Sequence, residues 1–126
     1  MTVSRYGLSR KERILKRKDF LLAQEKGCRF VTDTIIVLKR LNGKDYSRIG
    51  ITASRKVGKA VERNRVKRWA REAFRCIKWE LEEAIDLVII ARKAALSAGM
   101  KRMREDLEEA ISRLRKKNLT KRKRGE

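Results

Sequence analysis

The segment from Val61 to Ile77 constrains the fold of this chain more strongly than any other. Its apolar residues recur at helical spacing, and those at i, i+4, i+7 and i+11 form one stripe: Val66, Ala70, Ala73 and Ile77. The opposite side carries cations one turn apart: Arg63, Lys67, Arg71 and Arg75. The only acids in the segment are Glu62 and Glu72, too few to neutralise these cations. The pattern predicts a helix with one side in a core and the other side strongly basic.

A basic helix is often only a solvated surface, but two features of this one favour contact with a nucleic acid. Its cations are mostly Arg, whose planar guanidinium suits phosphate better than solubility alone requires. They also recur on one side over about four turns, roughly 20 Å, which matches several successive phosphates. In the preceding loop, Gly58 allows a sharp turn or a close approach to a ligand. Lys56 and Lys59 precede a helix terminus, which already favours an anion.

The overall charge indicates the class of partner. The 126 residues include 36 Lys and Arg against 16 Asp and Glu, so the formal net charge is +20. An excess of this size predicts an extended polyanion, with nucleic acid first and an anionic membrane surface second. The membrane interpretation is weakened because no apolar run approaches the roughly 18 residues of a spanning helix. We expect one domain with a single modest core.

Residue types exclude several kinds of catalytic site. The chain has no His, which excludes His-based acid–base catalysis, His–Cys nucleophile pairs and His metal sites. Cys28 and Cys76 lie far apart, and the polar N-terminus shows no secretory signal, so we expect reduced thiols in a cytoplasmic protein. Asp33, Asp45 and Asp86 each stand alone, as is typical of caps, turns and surface charges. We therefore predict no catalytic residues and no metal ligands.

The first part of the chain predicts one helix and two or three strands. The helix runs from about Arg17 to Lys26, ends at Gly27, and can turn Leu21 and Leu22 towards a core. Residues 29–40 read as extended chain, with a separate short edge strand within 28–33. Asn42-Gly43 marks a hairpin turn, and residues 47–54 form the returning strand. In that strand one face is apolar and the other carries Arg48, Gly50, Thr52 and Ser54.

The second part predicts a buried strand over residues 85–91 and a closing helix. The helix rests on an apolar repeat: Met100, Met103, Leu107, Ala110, Ile111 and Leu114. Residues 116–124 read as a disordered basic tail. The order α-β-β-β-α-β-α predicts an α+β two-layer sandwich. We expect one domain over residues 9–117, with basic tails at residues 1–8 and 118–126.

The basic segment resembles the signature of the protein subunit of bacterial ribonuclease P. The resemblance rests on Arg63-Asn64-Arg65, the following Lys67-Arg68 and Arg71, and the preceding residues 52–58, and it extends more weakly from Leu15 to Leu114. The family implies a mixed four-stranded sheet in which the signature helix makes a left-handed β-α-β crossover, against the general right-handed rule. It also implies a non-catalytic subunit of an endoribonuclease, whose RNA performs the Mg²⁺-dependent hydrolysis that produces the mature 5′ end of tRNA.

The resemblance further implies two RNA-binding surfaces. Contacts with the RNA subunit are expected at Arg63, Asn64, Arg65, Lys67, Arg68 and Arg71. The single-stranded 5′ leader of precursor tRNA is expected in a groove, floored by the polar face of residues 48–54 and walled by the first helix. Its candidate contacts are Phe20, Thr52, Lys56, Arg63, Lys67 and Arg71. From the sequence, Phe20 is either a core residue or a stacking platform in this groove.

The resemblance carries further expectations and some departures from the family pattern. We expect Mg²⁺ to be bound mainly by the RNA, and the free protein to be a cytoplasmic monomer with no membrane partner. The family often has a second aromatic residue where this chain has Gln24, and its groove aromatic falls near Leu38. Arg55 stands where the family often has Lys, which preserves the charge.

Two other functions are compatible with the composition. A structural ribosomal protein matches the size, charge, fold class and tails, and only the signature segment distinguishes the two. A DNA-binding regulator would place the basic helix in a major groove. The sequence favours it less, because it shows no evident helix-turn-helix pair or dimerisation stripe.

Overall fold

The computed structural model describes residues 16–81 and 83–125. In chain order its elements are helix α1 (Arg17–Lys26), strands β1 (Cys28–Val31), β2 (Ile35–Leu41) and β3 (Arg48–Ala53), helix α2 (Ala60–Ile77), a 3-10 turn (Lys78–Glu80), strand β4 (Ile85–Ala91), and helices α3 (Ala95–Ala98) and α4 (Met100–Gly125). The predicted α+β order is confirmed, with the short helix α3 added before the closing helix. The basic tail predicted at residues 1–8 lies outside the described residues.

The strands form one mixed four-stranded sheet in the order β1-β2-β4-β3. Strand β2 runs antiparallel to both β1 and β4, whereas β3 and β4 run parallel to each other. Helix α2 connects β3 to β4, so the signature segment forms the crossover of a β-α-β unit. The left-handed sense of this crossover stays a prediction from the family.

The prediction of a hairpin between β2 and β3 is wrong, because β4 lies between them. Gly43 does make a turn, with a φ of 69°. Beside it, however, the Asn42 N–H donates to the carbonyl of Ala84, which precedes β4. The apolar composition of β4 supplies the reason. A strand that is apolar on both faces loses most contact with water at the centre of a sheet, with helices on either side.

The main core lies between one face of the sheet and helices α2 and α4. The predicted apolar stripe of α2 is buried there, which confirms the two-sided character of this helix. It packs with Ile49 of β3, with Leu87 and Ile89 of β4, and with Met103 and Leu107 of α4. This packing fixes the orientation of α2 and turns its opposite side towards solvent.

Helix α1 covers part of the other face of the sheet. There Ala23 packs with Leu38 and Val88 in a small buried cluster, which Phe20 borders. Leu21, which we expected to face a core, is instead 48% exposed. Residues 20 and 23 share one side of the helix, whereas residue 21 is rotated from residue 20 by about 100°. Packing of α1 through Phe20 and Ala23 therefore leaves Leu21 in solvent.

Helix α4 is longer than its apolar repeat, which ends at Leu114. The disordered tail expected over residues 116–124 is helical instead, because α4 continues to Gly125. Lys and Arg are good helix formers, and neither Pro nor Gly interrupts the segment before residue 125. The division of the chain at residue 118 stays a prediction. Among the described residues, no helix is long and apolar enough to cross a membrane.

Candidate nucleic-acid interface

The start of α2 is held by close contacts between its first turn and the preceding loop. A Cβ added to Gly58 would lie 2.5 Å from Oε1 of Glu62, so only glycine fits without displacement. That Oε1 accepts a hydrogen bond from the N–H of Lys59 at 2.8 Å. The Nη1 of Arg63 donates to the carbonyl of Gly58 at 3.3 Å. The loop and the first basic residue of α2 are thus positioned together.

The predicted RNA-subunit contacts form one continuous surface, which we call the basic face of α2: Arg63, Asn64, Arg65, Lys67, Arg68 and Arg71. Four of these side chains are exposed, and those of Arg63 and Lys67 are half-buried. Among the described residues, none of the five cations is paired with a carboxylate. Glu72, the nearest following acid on the helix, instead binds Arg75 at 2.6 Å. The basic face therefore keeps its positive charge available to a polyanion.

The second surface is the polar face of β3, which carries Arg48, Gly50 and Thr52. The ring of Phe20 lies over Gly50, where an added Cβ would be 2.6 Å from Cζ of the ring. Thr52 is exposed two residues further along the same face. Phe20 itself is half-buried and packs against the small cluster under α1. From the sequence, Phe20 could be a core residue or a groove residue. In the structure its ring borders the small buried cluster and also lies over the polar face of β3.

The turn between β3 and α2 places Lys56 at the junction of the two surfaces. The N–H of Val57 donates to the carbonyl of Ser54 at 3.0 Å, and the N–H of Lys56 donates to Oγ of Ser54 at 3.3 Å. The side chain of Val57 is buried in the main core, whereas that of Lys56 is exposed. The turn is therefore anchored and presents its lysine to solvent.

The six predicted leader contacts are divided between the two sides of the sheet. Phe20 and Thr52 lie on the face that α1 covers, whereas the predicted cations of α2 belong to a helix packed on the opposite face. Strand β3 is an edge strand and separates the two groups. A ligand that touches all six residues must therefore pass around β3 and its turn, close to Lys56.

An ion-pair network beside the polar face of β3 was not predicted from the sequence. Asp86 of β4 is fully buried and lies between Arg40 of β2 and Arg48 of β3. Arg48 donates to both of its oxygens, at 2.8 and 2.6 Å, and Asn42 donates to Oδ1 at 2.9 Å. The hydrogen bond to Asp86 raises the pKa of Arg48, against the opposing effect of burial. The prediction of Asp86 as an isolated cap, turn or surface charge is wrong.

Arg48 also connects this network to helix α1. Its Nη1 lies 3.3 Å from Oδ2 of Asp19, which is one residue before Phe20. The only sequence signal for the network was an acid within the apolar run of β4, because an unpaired charge is not stable in such a position. The network thus holds the helix that carries Phe20 against the strand that carries Thr52.

Other ionisable groups do not form a metal-binding cluster in the part of the chain that the structure describes. No group of three or more His, Cys, Asp or Glu side chains there is placed to hold a metal ion. Neither cysteine forms a disulfide in the described structure; Cys28 is buried and Cys76 is half-buried. Separately, a pocket of about 540 Å³ at the far end of β4 is lined by Arg92, Lys93 and Arg102, among others. It was not predicted, and it holds the ion pair of Arg102 with Asp33.

Comparison with known proteins decides the family. The family model for ribonuclease P matches residues 8–115, most of the chain. The chain belongs to the ribonuclease P protein family. It is 47% identical over 85 residues to the ribonuclease P protein component of Thermotoga maritima, covering 68% of this chain and 73% of that protein. It is 36% identical over 109 residues to that of Desulforapulum autotrophicum, covering 86% and 93%.

Solved structures of ribonuclease P proteins share this fold. The Staphylococcus aureus protein matches with a TM-score of 0.74 at 33% identity, covering 82% of this chain and 96% of that one. The Thermotoga maritima protein matches with a TM-score of 0.72 at 40% identity, covering 81% and 96%. The chain is thus a ribonuclease P protein component, which acts in tRNA processing and has RNA partners. The ribosomal and DNA-binding alternatives lose their support.

Proposed function

We propose that this chain binds the RNA subunit of ribonuclease P and the 5′ leader of precursor tRNA, and thereby assists removal of the leader. The observation that carries the proposal is the basic face of α2. Its five cations lie on one side of one helix, and none is neutralised by a carboxylate among the described residues. Such a surface matches a folded RNA, whose phosphates present a high density of negative charge.

Contact between the basic face and the RNA subunit would be made mainly to phosphates and sugars. The guanidinium groups of Arg65, Arg68 and Arg71 are exposed and suited to bidentate bonds with phosphate oxygens. Asn64 adds an amide that can both donate to and accept from a ribose 2′-hydroxyl. Contacts with phosphates and sugars carry no direct sequence information, so the contact would follow the shape and charge of the RNA more than its sequence.

Contact with the leader would use the polar face of β3 and the groove beside α1. Phe20 offers a ring on which an unpaired base can stack, and Thr52 offers a hydroxyl on the same side of the sheet. Lys56 would bind a phosphate where the strand passes round the turn, towards Arg63, Lys67 and Arg71. Gln24 is exposed and Leu38 is buried. Because neither side chain is aromatic, neither adds a second ring to the groove. Phe20 therefore carries the stacking in this chain.

Hydrolysis of the phosphodiester bond would be performed by the RNA subunit with Mg²⁺. The described residues offer no acidic cluster for such an ion, so its ligands would come from the RNA. The chain would contribute positive charge, which lowers the repulsion between phosphates and so favours ion binding by the complex. In this proposal the protein works in the cytoplasm and is a monomer before it meets the RNA.

A cleavage assay tests the proposal directly. The chain is mixed with a bacterial ribonuclease P RNA and precursor tRNA at a low Mg²⁺ concentration, where the RNA alone is feeble. We expect the protein to restore cleavage at the mature 5′ end, and to do so better for longer leaders. Restored cleavage that ignores leader length would remove the leader contact and keep RNA docking. No restoration, despite tight binding to the RNA, would overturn the proposed function.

A further inference from the structure

An exposed tryptophan stands at the end of the signature helix. Trp79 lies in the 3-10 turn after α2, and it is 75% exposed. Tryptophan is usually largely buried, since its ring has the largest apolar surface of any side chain. The core beside it is already filled, because Phe74 and Ile77 of the same helix are buried. Packing among the residues that the structure describes therefore does not account for Trp79.

The position of Trp79 follows from the helical period of α2. The core stripe of α2 occupies residues 66, 70, 73 and 77. Residues two positions further along the chain are rotated from this stripe by about 200° around the helix axis. The shifted positions hold Arg68, Glu72, Arg75 and Trp79. Trp79 lies two residues beyond the end of α2, in the 3-10 turn, so a rotation of about 200–240° from Ile77 turns it away from the core and towards the side of Arg68. It lies eight residues beyond Arg71, about 13 Å along the axis of α2 and the 3-10 turn that follows it.

Basic residues precede Trp79 in the chain, with Arg75 paired to Glu72, and the acids Glu80, Glu82 and Glu83 follow it. The Nζ of Lys78 lies 5.0 Å from the centroid of the indole ring, within the range of a cation–π contact. Arg75 precedes Trp79 by four residues and so lies on the same side of the helix. Most of the indole surface remains open to solvent. An exposed ring with a lysine beside it and the basic face of α2 before it can stack on a base whose phosphate lies towards that face.

We propose that Trp79 stacks on an unpaired base of the RNA subunit of ribonuclease P, as the far end of the basic face of α2. This inference rests on the proposed function and adds a contact residue to it. The RNA subunit is favoured over the leader because the leader would reach α2 at its start, near Lys56, whereas Trp79 lies beyond the other end of the helix. A protein partner is less favoured because Trp79 follows directly on the basic face of α2, which the proposed function assigns to RNA.

The test measures the affinity of the full-length chain for a bacterial ribonuclease P RNA. Trp79→Ala should weaken binding about 5- to 150-fold, the range expected for loss of one stacked base. Met100→Ala removes another exposed apolar side chain, at the start of α4, and should leave the affinity unchanged. Trp79→Lys adds a positive charge but removes the ring, and it should also bind more weakly than the parent. Trp79→Phe should restore part of the affinity.

The dependence of affinity on salt distinguishes stacking from phosphate contact. Arg68→Ala should lower the slope of log affinity against log salt by about 1, whereas Trp79→Ala should leave the slope unchanged. If Trp79→Ala and Trp79→Lys bind the RNA subunit as tightly as the parent protein while Arg68→Ala binds it more weakly, this inference is overturned and the proposed function is not. Wild-type binding by Arg68→Ala as well would overturn the proposed function. If Trp79→Ala reduced only self-association of the free protein, the ring would belong to a second copy, and the inference would be wrong.

A spectroscopic measurement gives an independent readout. The chain has two tryptophans, and Trp69 is only partly buried against the main core. In a Trp69→Phe variant, the emission of Trp79 reports on its own surroundings. Stacking should quench this emission when the RNA subunit is added, and mature tRNA should quench it much less. Emission that stays constant at saturating RNA subunit would contradict the proposed contact.

Discussion

The guanidinium of Arg48 lies side by side with the carboxylate of Asp86, with Nε 2.8 Å from Oδ1 and Nη2 2.6 Å from Oδ2. This bidentate geometry is the strongest arrangement that the two groups can form. The Asp86 side chain is completely buried and that of Arg48 is 14% exposed. Because Arg48 also reaches Asp19, the pair joins the centre of the sheet to its edge strand and to α1.

Removal of Asp86 should destabilise the fold strongly. In Asp86→Ala, Arg40 and Arg48 would lose their shared partner and remain close together with like charge. Loss of one partner of a buried ion pair typically costs about 3–5 kcal/mol, so we expect a decrease of this size in the free energy of unfolding. Urea denaturation measures it. Asp33→Ala is the matched control, because Asp33 pairs with Arg102 at the surface with its side chain 78% exposed. Asp33→Ala should lower the free energy of unfolding by about 1 kcal/mol or less. An equal decrease in Asp33→Ala and Asp86→Ala would refute the assigned role of the network.

Substitution of Gly50 should disturb Phe20 in particular. In Gly50→Ala the new methyl group would lie 2.6 Å from Cζ of the ring, so the ring or the whole of α1 must move. Overpacking of this kind costs about 1–3 kcal/mol, measured as the change in the free energy of unfolding. A double-mutant cycle supplies the control, because Phe20→Ala removes the atoms that clash. Gly50→Ala should therefore cost clearly less in the Phe20→Ala background. An identical cost in both backgrounds would show that the ring is not the obstacle.

Loss of the Phe20 ring should affect substrates that carry a leader more than those that do not. Stacking of one base is worth about 1–3 kcal/mol, so Phe20→Ala should weaken binding of precursor tRNA by the holoenzyme about 5- to 150-fold. Binding of mature tRNA should change little, since it has no leader to occupy the groove. Gln24→Ala, on the same helix, is the control and should leave both affinities unaltered. Equal weakening for both tRNAs would mean that Phe20 acts only through packing.

Asp106 should make stability depend on pH in the acid range. Burial alone would raise the pKa of Asp106, but hydrogen bonds from Thr34 at 2.6 Å and from Arg102 at 3.1 Å outweigh it, and the pKa is lowered. A pKa that is lower in the folded state adds stability above the unfolded-state value, about 4, and this stability is lost as the pH falls through the folded-state value. The wild-type advantage over Asp106→Asn should therefore shrink below about pH 4.

Equilibrium unfolding between about pH 2 and pH 7 measures the effect of Asp106. Thr34→Val removes the hydrogen bond from Thr34 and keeps the shape of that side chain. It should raise the pKa of Asp106 towards its usual range and shift the acid-side loss of stability to higher pH. A wild-type advantage over Asp106→Asn that is independent of pH would contradict this assignment.

The parts of the fold that depend on neighbouring residues could be predicted from the sequence. The bounds of α1 and the two sides of α2 follow from a local helical period and a terminal glycine, and both predictions are confirmed. The position of β4 between β2 and β3 could not be predicted in this way. Local preferences indicate that residues 85–91 form a strand, but they do not indicate which strands lie beside it. Asn42-Gly43 therefore suggested a hairpin that long-range pairing overrides.

In the candidate site, too, features set by neighbouring residues could be predicted, whereas features set by long-range contacts could not. The basic face of α2 could be predicted because one helix brings its members together. The network around Asp86 could not, because Arg48 and Arg40 are 38 and 46 residues away in the chain and meet it only across the sheet. The contact of Phe20 with Gly50 depends likewise on how α1 lies on the sheet. A single acid in an apolar run and a glycine in a strand each gave a signal, but neither identified its partner.

The central position of β4 has a consequence for how the protein is made. Strands β2 and β3 are both neighbours of β4, which is translated after them and after the whole of α2. The growing chain therefore exposes two strand edges and a long run of arginines before the strand that joins them emerges from the ribosome. Synthesis that stops before Ile85 would leave β3 unpaired beside the two-stranded sheet of β1 and β2, rather than a smaller working domain. The chain acquires its fold late and as a whole, with its RNA-binding charge already synthesised.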